Sequence, residues 1–438
     1  MKVKKDKVKL ITLGCSKNLV DSEFILAQLK SNDIEIVEDE NKAENVIINT
    51  CGFIESAKQE SIDTILRAVD LKSKGKLKNV YVAGCLSDRY KDELEKDIPD
   101  VDKYFGATDK PLTISGILNE LGADYKQNLL GERSITTPLH FAYLKISEGC
   151  DNPCSFCAIP IMRGAHRSKP LQDIITEAQK LASKGVKELV VIGQDTTYWG
   201  LDIDGENKRN LSKVLSELAK IKGIEWIRLM YAYPSRFPLD LIDTINNNEN
   251  ICKYIDIPVQ HITDNVLKSM RRGITKKNLV NLLEKLRNEI PGISIRTTLI
   301  VGYPDETEND FNELLNFVKE FKFDRLGVFR YSNEDGTFAG NIPDRIPPKE
   351  KLLRQKLILD AQKEISIINN KAITGEIQRI LIDRKENEYY IGRSYKDAPE
   401  IDQEIFVDNN ESKINVGEFY NVKIFDSEEF DLFGEIAF

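Results

Sequence analysis

A chain of 438 residues with 41% hydrophobic and 30% charged side chains is too apolar for disorder, and its length suggests roughly two to four domains. No apolar run approaches the ~18 residues of a membrane-spanning helix, and the stretch between Lys9 and Cys15 falls short of a signal core of ~7–15 residues, so the cytoplasm is expected and a membrane is not. Charge is unevenly spread: residues 371–438 hold 16 acidic and 8 basic side chains, −8 of the chain's net −9, which suits a basic partner or a solvated surface and works against binding a phosphate backbone.

The elements come in three styles. Val8–Leu13, Asn45–Asn49 and Val80–Ala83 are short apolar runs, each followed by a polar, helix-like stretch, which predicts an open parallel α/β sheet over residues 1–125. Each run leads into a cysteine, Cys15, Cys51 or Cys85. The carboxyl ends of parallel strands form the ligand crevice of such a sheet, so these three either converge as ligands or stay buried thiols at strand ends. Residues 126–138 lack periodicity and read as a linker. From 139 to 370, six strand candidates (Tyr143–Ile146, Leu189–Ile192, Trp226–Met230, Tyr254–Ile257, Ile293–Ile300 and Leu326–Phe329) alternate with helical patterns such as Leu171–Lys184 and Lys276–Asn288. Six β/α units predict a partial version of the eight-stranded barrel, with its site at the carboxyl strand ends, where Glu148, Gln194, Asp195, Tyr231, Gln260, His261 and Tyr331 gather. A long helix, Pro348–Asn370, closes this domain. Residues 371–438 then change to short alternating strands with Gly375, Gly392, Gly417 and Gly434 at turns, which predicts a small antiparallel β-barrel used for recognition.

Seven cysteines without an export signal point to ligands or catalysts rather than disulfides. Cys150-Asp-Asn-Pro-Cys154-Ser-Phe-Cys157 follows the first barrel strand, and thiolates at that spacing can wrap one cubane iron–sulfur cluster. No fourth cysteine lies nearby, so one iron would be open to a substrate or cofactor. A zinc site completed by His166 is the alternative, although structural zinc prefers paired ligand hairpins. Cys252 stands apart and reads as a plain buried thiol.

With Phe156 before its last cysteine, the triad resembles the radical S-adenosylmethionine superfamily. The runs Cys157-Ala-Ile-Pro-Ile-Met-Arg-Gly-Ala-His-Arg-Ser168, Ile257-Pro-Val-Gln-His261 and Arg296-Thr-Thr-Leu-Ile-Val-Gly-Tyr-Pro-Asp-Glu306 resemble methylthiotransferases, as do Leu13-Gly-Cys15, Asn49-Thr-Cys51-Gly-Phe53 and Ala83-Gly-Cys85. The resemblance covers all three modules and implies that the carboxyl-terminal barrel is of the TRAM type. It also implies two 4Fe-4S clusters, on Cys15, Cys51 and Cys85 and on Cys150, Cys154 and Cys157, with S-adenosylmethionine chelated by the open iron of the second. One equivalent of S-adenosylmethionine would methylate sulfur at the first cluster and another would give the radical at the second. Phe156 and Gln194 become candidate cofactor contacts. Arg296 either meets a cofactor carboxylate or forms a structural ion pair. No side chain is named as catalytic, because hydrogen abstraction by a radical needs no general base in its first step.

The family divides chiefly into enzymes acting on an adenosine of transfer RNA and enzymes acting on an aspartate of a ribosomal protein. The acidic barrel, with Asp397, Glu400, Asp402 and Glu404 close together, favours a Lys/Arg-rich protein over RNA. The run Gly392-Arg-Ser-Tyr-Lys-Asp397-Ala-Pro-Glu-Ile-Asp402 also resembles the ribosomal-protein branch. Gln403 stands where that branch suggests glycine, and Gly193 where it often has serine. The resemblance implies methylthiolation at the β-carbon of an aspartate in small-subunit ribosomal protein twelve, with an electron donor as second partner; transfer-RNA methylthiolation is the alternative.

Overall fold

The computed structural model describes residues 6–107, 111–129, 131–203, 210–408 and 413–437. The chain divides into two compact units, one of Met1–Thr136, Tyr143–Asp151 and Ala158–Lys180, the other of Thr137–Ala142, Asn152–Cys157 and Leu181–Phe438.

The first unit is built on five parallel strands, β1 (Lys7–Thr12), β2 (Glu35–Ile36), β3 (Asn45–Thr50), β4 (Asn79–Gly84) and β5 (Lys103–Tyr104), in the order β2-β1-β3-β4-β5. Side chains alternate between the faces of a strand, and here both faces are apolar. Ile47 and Tyr81 pack on Ile25, Leu29 and Ile117 on one side. Val46, Ile48, Val80 and Val82 pack on Ile65, Leu86 and Leu94 on the other. Helices therefore cover both faces, among them Ser16–Ser31 and Glu55–Ser73. The expected strands are present, whereas β2 and β5, two residues each, were too short for any periodicity to reveal.

In the second unit β9 (Glu188–Ile192), β10 (Trp226–Leu229), β11 (Ile251–Asp256), β12 (Ser294–Val301) and β13 (Arg325–Arg330) run side by side. The strand β6 (Phe141–Lys145) extends the sheet to the order β13-β12-β11-β10-β9-β6. Its helices carry apolar residues at helical spacing: in Lys276–Glu289 they are Leu279, Leu282, Leu283 and Leu286, all buried. Helix Pro348–Ala372 buries Ile358, Ala361 and Ile365, and Gln362 donates to the Phe323 carbonyl at 2.9 Å. Among the described residues no helix is long and apolar enough to cross a membrane. The first unit also holds a two-stranded ribbon, β7 (Ser147–Glu148) with β8 (Arg167–Ser168), which brackets the segment bearing Cys150 to Cys157 in sequence.

The barrel of the second unit comprises β14 (Ile377–Glu386), β15 (Tyr389–Arg393), β16 (Glu404–Asp408), β17 (Phe419–Ser427) and β18 (Asp431–Ile436), closed in the order β14-β15-β16-β18-β17. It corrects the expectation of an antiparallel barrel in one respect: β16 and β18 are parallel. A closed ring with an odd number of strands cannot alternate direction all the way round, so one neighbouring pair must run together.

The barrel is fastened to the sheet of its own unit by buried ion pairs. Glu188 accepts from Arg228 at 2.8 Å and from Arg393 at 2.8 Å, and Arg393 also meets Asp383 at 2.6 Å. Asp383 in turn bonds His140 at 2.8 Å. Arg325 holds Asp397 (Nε to carboxylate, 2.9 Å), and Arg296 holds Asp402 at 3.2 Å, where Tyr254 also donates at 2.7 Å. Two of the four acids expected to face a partner, Asp397 and Asp402, are thus internal counter-charges, and Glu404 is paired with Arg384 at 2.6 Å. Their clustering in sequence arises because a docking loop must neutralise the arginines beneath it. Removing one member of such a set strands a buried charge. Arg393→Met should therefore cost about 3–5 kcal/mol, seen as an earlier urea transition of the barrel and faster proteolysis after helix Pro348–Ala372; an unchanged transition would contradict the assignment.

Candidate functional site

The thiols of the first unit stand where parallel strands end. Cys15 precedes and N-caps helix Ser16–Ser31, Cys51 follows β3, and Cys85 opens the short helix Cys85–Arg89. Because β1, β3 and β4 are consecutive neighbours in the sheet, the three turns are neighbours too. Two glycines permit the approach. Gly14 (φ +89°) has the Cys51 Sγ 2.8 Å from where a Cβ would sit, and Gly84 (φ +102°) has the Thr50 carbonyl oxygen at 2.5 Å. Asn18 then stitches the turns together: its amide donates to the carbonyls of Leu13 and Thr50, each at 2.9 Å. The Ser61 hydroxyl bonds the backbone N–H and carbonyl of Cys51 at 3.1 and 2.9 Å.

Cys15 is exposed, while Cys51 and Cys85 are buried. Burial pushes the Cys85 thiol up to about 12, against the pull of the Arg163 guanidinium, and raises Cys51 as well. Among the described residues no three His, Cys, Asp or Glu side chains lie close enough to ligate a single ion. Three neighbouring thiols suit a cluster, which spreads its ligands over several irons, better than one zinc ion. Binding such a group would also remove the protons that burial keeps on Cys51 and Cys85.

Arg163 is the residue that sequence reading passed over. It donates through Nε to the Cys85 sulfur at 3.2 Å and pairs with Asp21 at 2.7 Å. The only signal was a cation among apolar residues in Pro-Ile-Met-Arg163.

The segment Cys150–Cys157 passes from one unit to the other. In the first unit, the Cys150 N–H donates to the Gly164 carbonyl at 3.2 Å, and His166 sets Nε2 3.1 Å from the Ser168 hydroxyl. In the second unit, the Cys157 N–H donates to the Cys154 carbonyl at 3.2 Å. The Cys154 sulfur accepts from Arg272 at 3.2 Å and lies 3.5 Å from the Tyr233 hydroxyl. Ser155 is fixed by Tyr303 (2.9 Å), and Phe156 packs on Val266, Met270, Tyr303 and Tyr331. Asn152 donates to Asp195 at 2.7 Å, so the turn after β9 reaches the cysteine segment through Asp195. The neighbouring Gln194 is half-buried.

Arg272, 4% exposed, was also missed. Its neighbour Arg271 stacks on the Phe338 ring at 3.6 Å, and nothing in the Arg-Arg pair says which of the two turns inward. The guanidinium of Arg296 holds Asp256 at 2.9 Å as well as Asp402 at 3.2 Å. His261 accepts the Thr263 N–H on Nδ1 at 3.2 Å, so its Nε2 carries the proton and points toward Glu306 at 3.6 Å. Glu306 is itself held by the Tyr303 N–H at 3.1 Å and Arg354 at 3.2 Å, a buried arrangement that orders the turn after β12.

Known proteins match this architecture module by module. Residues 7–106 match a group described as uncharacterized protein family UPF0004, residues 144–318 the radical SAM superfamily, and residues 374–437 the TRAM domain. The chain is 53% identical over 436 residues to the ribosomal protein uS12 methylthiotransferase RimO of Cytophaga hutchinsonii, covering 99% of this chain and 98% of that one. The RimO of Chloroherpeton thalassium is 51% identical over 440 residues, with both chains covered completely. Among solved structures, the radical S-adenosylmethionine methyltransferase TsrM of Kitasatospora setae superposes with a TM-score of 0.56 at 13% identity, covering 74% of this chain and 72% of that one. The cobalamin-dependent radical enzyme OxsB gives 0.53 at 12% identity, covering 82% and 56%; at such identities the likeness is one of fold. With near-complete coverage at half identity, the chain belongs to the RimO family of methylthiotransferases.

Proposed function

We propose that the enzyme transfers a methylthio group to the β-carbon of an aspartate in ribosomal protein uS12. It would use two 4Fe-4S clusters and two equivalents of S-adenosylmethionine. The observation that carries this reading is the gathering of Cys15, Cys51 and Cys85 at adjacent strand ends, in a chain that also has the Cys150, Cys154, Cys157 motif and relatives named for uS12. When bound, the clusters and S-adenosylmethionine supply the transferred sulfur and the one-electron chemistry that removes a hydrogen from an unactivated carbon.

The side chains position and shield these groups. Cys15, Cys51 and Cys85 hold one cluster, and Cys150, Cys154 and Cys157 hold the other. Phe156 anchors the second loop in an apolar cluster, Arg272 neutralises the Cys154 thiolate, and Gln194 receives the amino group of the cofactor. Arg296 acts through Asp256, whose other oxygen fixes the Tyr231 N–H at 3.1 Å beside the strand ends. Residues 1–125, 139–370 and 371–438 serve as sulfur-holding, radical-generating and recognition modules, with 126–138 as connector. The barrel's exposed Glu386, Glu388, Glu400, Glu418 and Asp426 favour a basic protein and disfavour RNA, and a ribosomal substrate places the enzyme in the cytoplasm.

Intact mass of purified uS12 tests the reading after anaerobic incubation with reconstituted enzyme, S-adenosylmethionine, sulfide and dithionite. A gain of one methylthio group on an aspartate is expected. Unmodified uS12 with deoxyadenosine still released would turn the assignment to transfer RNA. Cys51→Ala should abolish the gain yet keep deoxyadenosine release, whereas transfer by that variant would remove the first cluster from the scheme. Arg272→Met should lower deoxyadenosine release by about 10–100-fold, the range for losing a partner of a metal ligand; full release would show that Arg272 is dispensable.

A further inference from the structure

Arg163 lies in the short helix Ile159–Arg163, six residues after the last cysteine of the radical motif, yet its guanidinium serves the other trio of thiols. It is 3% exposed. Besides the 3.2 Å bond from Nε to the Cys85 sulfur, it contacts Glu148 at 3.4 Å and donates to the Asn18 side-chain oxygen. Asn18 is the residue that ties the turns of Cys15 and Cys51 together. Lys145 completes the set, bonding Asp21 and, at 2.6 Å, Glu148. All these groups belong to the first compact unit. Two cations and two carboxylates thus form a neutral, nearly dry assembly with one N–H directed at a thiol.

A buried charge is poorly screened by salt. Reduction adds negative charge to an iron–sulfur cluster, so a nearby cation, or an N–H donated to a ligand sulfur, raises its potential and a nearby carboxylate lowers it. We propose that Arg163 is a positioning residue that sets the reduction potential of the amino-terminal cluster through Cys85, with Asp21, Glu148 and Lys145 holding its charge in balance. The inference rests on the reading of Cys15, Cys51 and Cys85 as ligands.

The test uses the full chain with Cys150, Cys154 and Cys157 changed to alanine, so that one cluster remains. Its midpoint is read by dithionite titration followed by electron paramagnetic resonance, with iron content measured for every variant. Arg163→Met and Lys145→Met should shift the midpoint downward. Asp21→Asn and Glu148→Gln should shift it upward. Each shift should reach tenfold in the ratio of reduced to oxidised cluster, 59 mV for one electron. Arg163→Lys, which keeps the charge, should stay nearer the parent. A merely structural network gives midpoints that do not move, or four shifts of one sign, and either result overturns the proposal. If Arg163→Met retains no iron, the two carboxylate variants decide, and the absence of an upward shift in both refutes it. A parent protein that binds no iron would instead overturn the ligand reading itself, a result distinct from unmoved midpoints.

Discussion

Parallel pairing of strands is the constraint from which the candidate sites follow. When neighbouring strands run the same way, each must be followed by a crossover, and every turn that leaves a carboxyl end emerges on one edge of the sheet. Cys15, Cys51 and Cys85 are far apart in sequence but follow β1, β3 and β4, three adjacent strands. Burial of both faces of that sheet fixes the register that keeps them adjacent, because Ile47 and Ile48 must point to opposite cores. In the second unit the same rule places Asp195, Tyr231 and Gln260 after β9, β10 and β11. Tyr231 and Gln260 both adopt left-handed backbone (φ 58° and 70°), a conformation that side-chain-bearing residues seldom take and that turns these ends sharply.

The molecule's second theme is how it compensates buried guanidinium groups. Arg133 lies between Glu23 and Glu177, each at 2.7 Å, and Arg228 shares Glu188 with Arg393. Each set satisfies a cation that would otherwise be costly in a dry interior. Arg272 differs: among the described residues no carboxylate lies within ion-pair distance of it, and its neighbours are the Cys154 sulfur, the Pro258 carbonyl and the face of Tyr233 at 4.2 Å. A guanidinium arranged in that way suits a sulfur that becomes anionic. Arg163 meets its sulfur from within a neutral group instead, so the two arginines make the same kind of contact in opposite electrostatic settings.

Much of this was legible in the sequence because it depends on local pattern. Strands of five or more residues carry enough apolar residues to be recognised, and a cysteine immediately after such a run locates itself. Contacts between distant segments were not legible. Asp397 and Asp402 look like surface acids until Arg325 and Arg296 are seen beneath them. The inward turn of Arg272 rather than Arg271 depends on a left-handed Arg271 (φ 55°), which no side-chain pattern encodes. The parallel pair in the barrel follows from the strand count, which becomes available only once closure is known.

The ion pairs beneath the barrel bear on the timing of an entropic cost. A module on a loose tether must be oriented afresh at every encounter, and that search slows or weakens each one. Here Arg228, through the Tyr395 carbonyl, together with Arg393, Arg325 and Arg296, locks the barrel to the base of the sheet in its own unit. The orientational freedom is lost once, when the chain folds. The barrel is thereby held at a fixed distance and angle to that sheet, set by rigid geometry instead of diffusion.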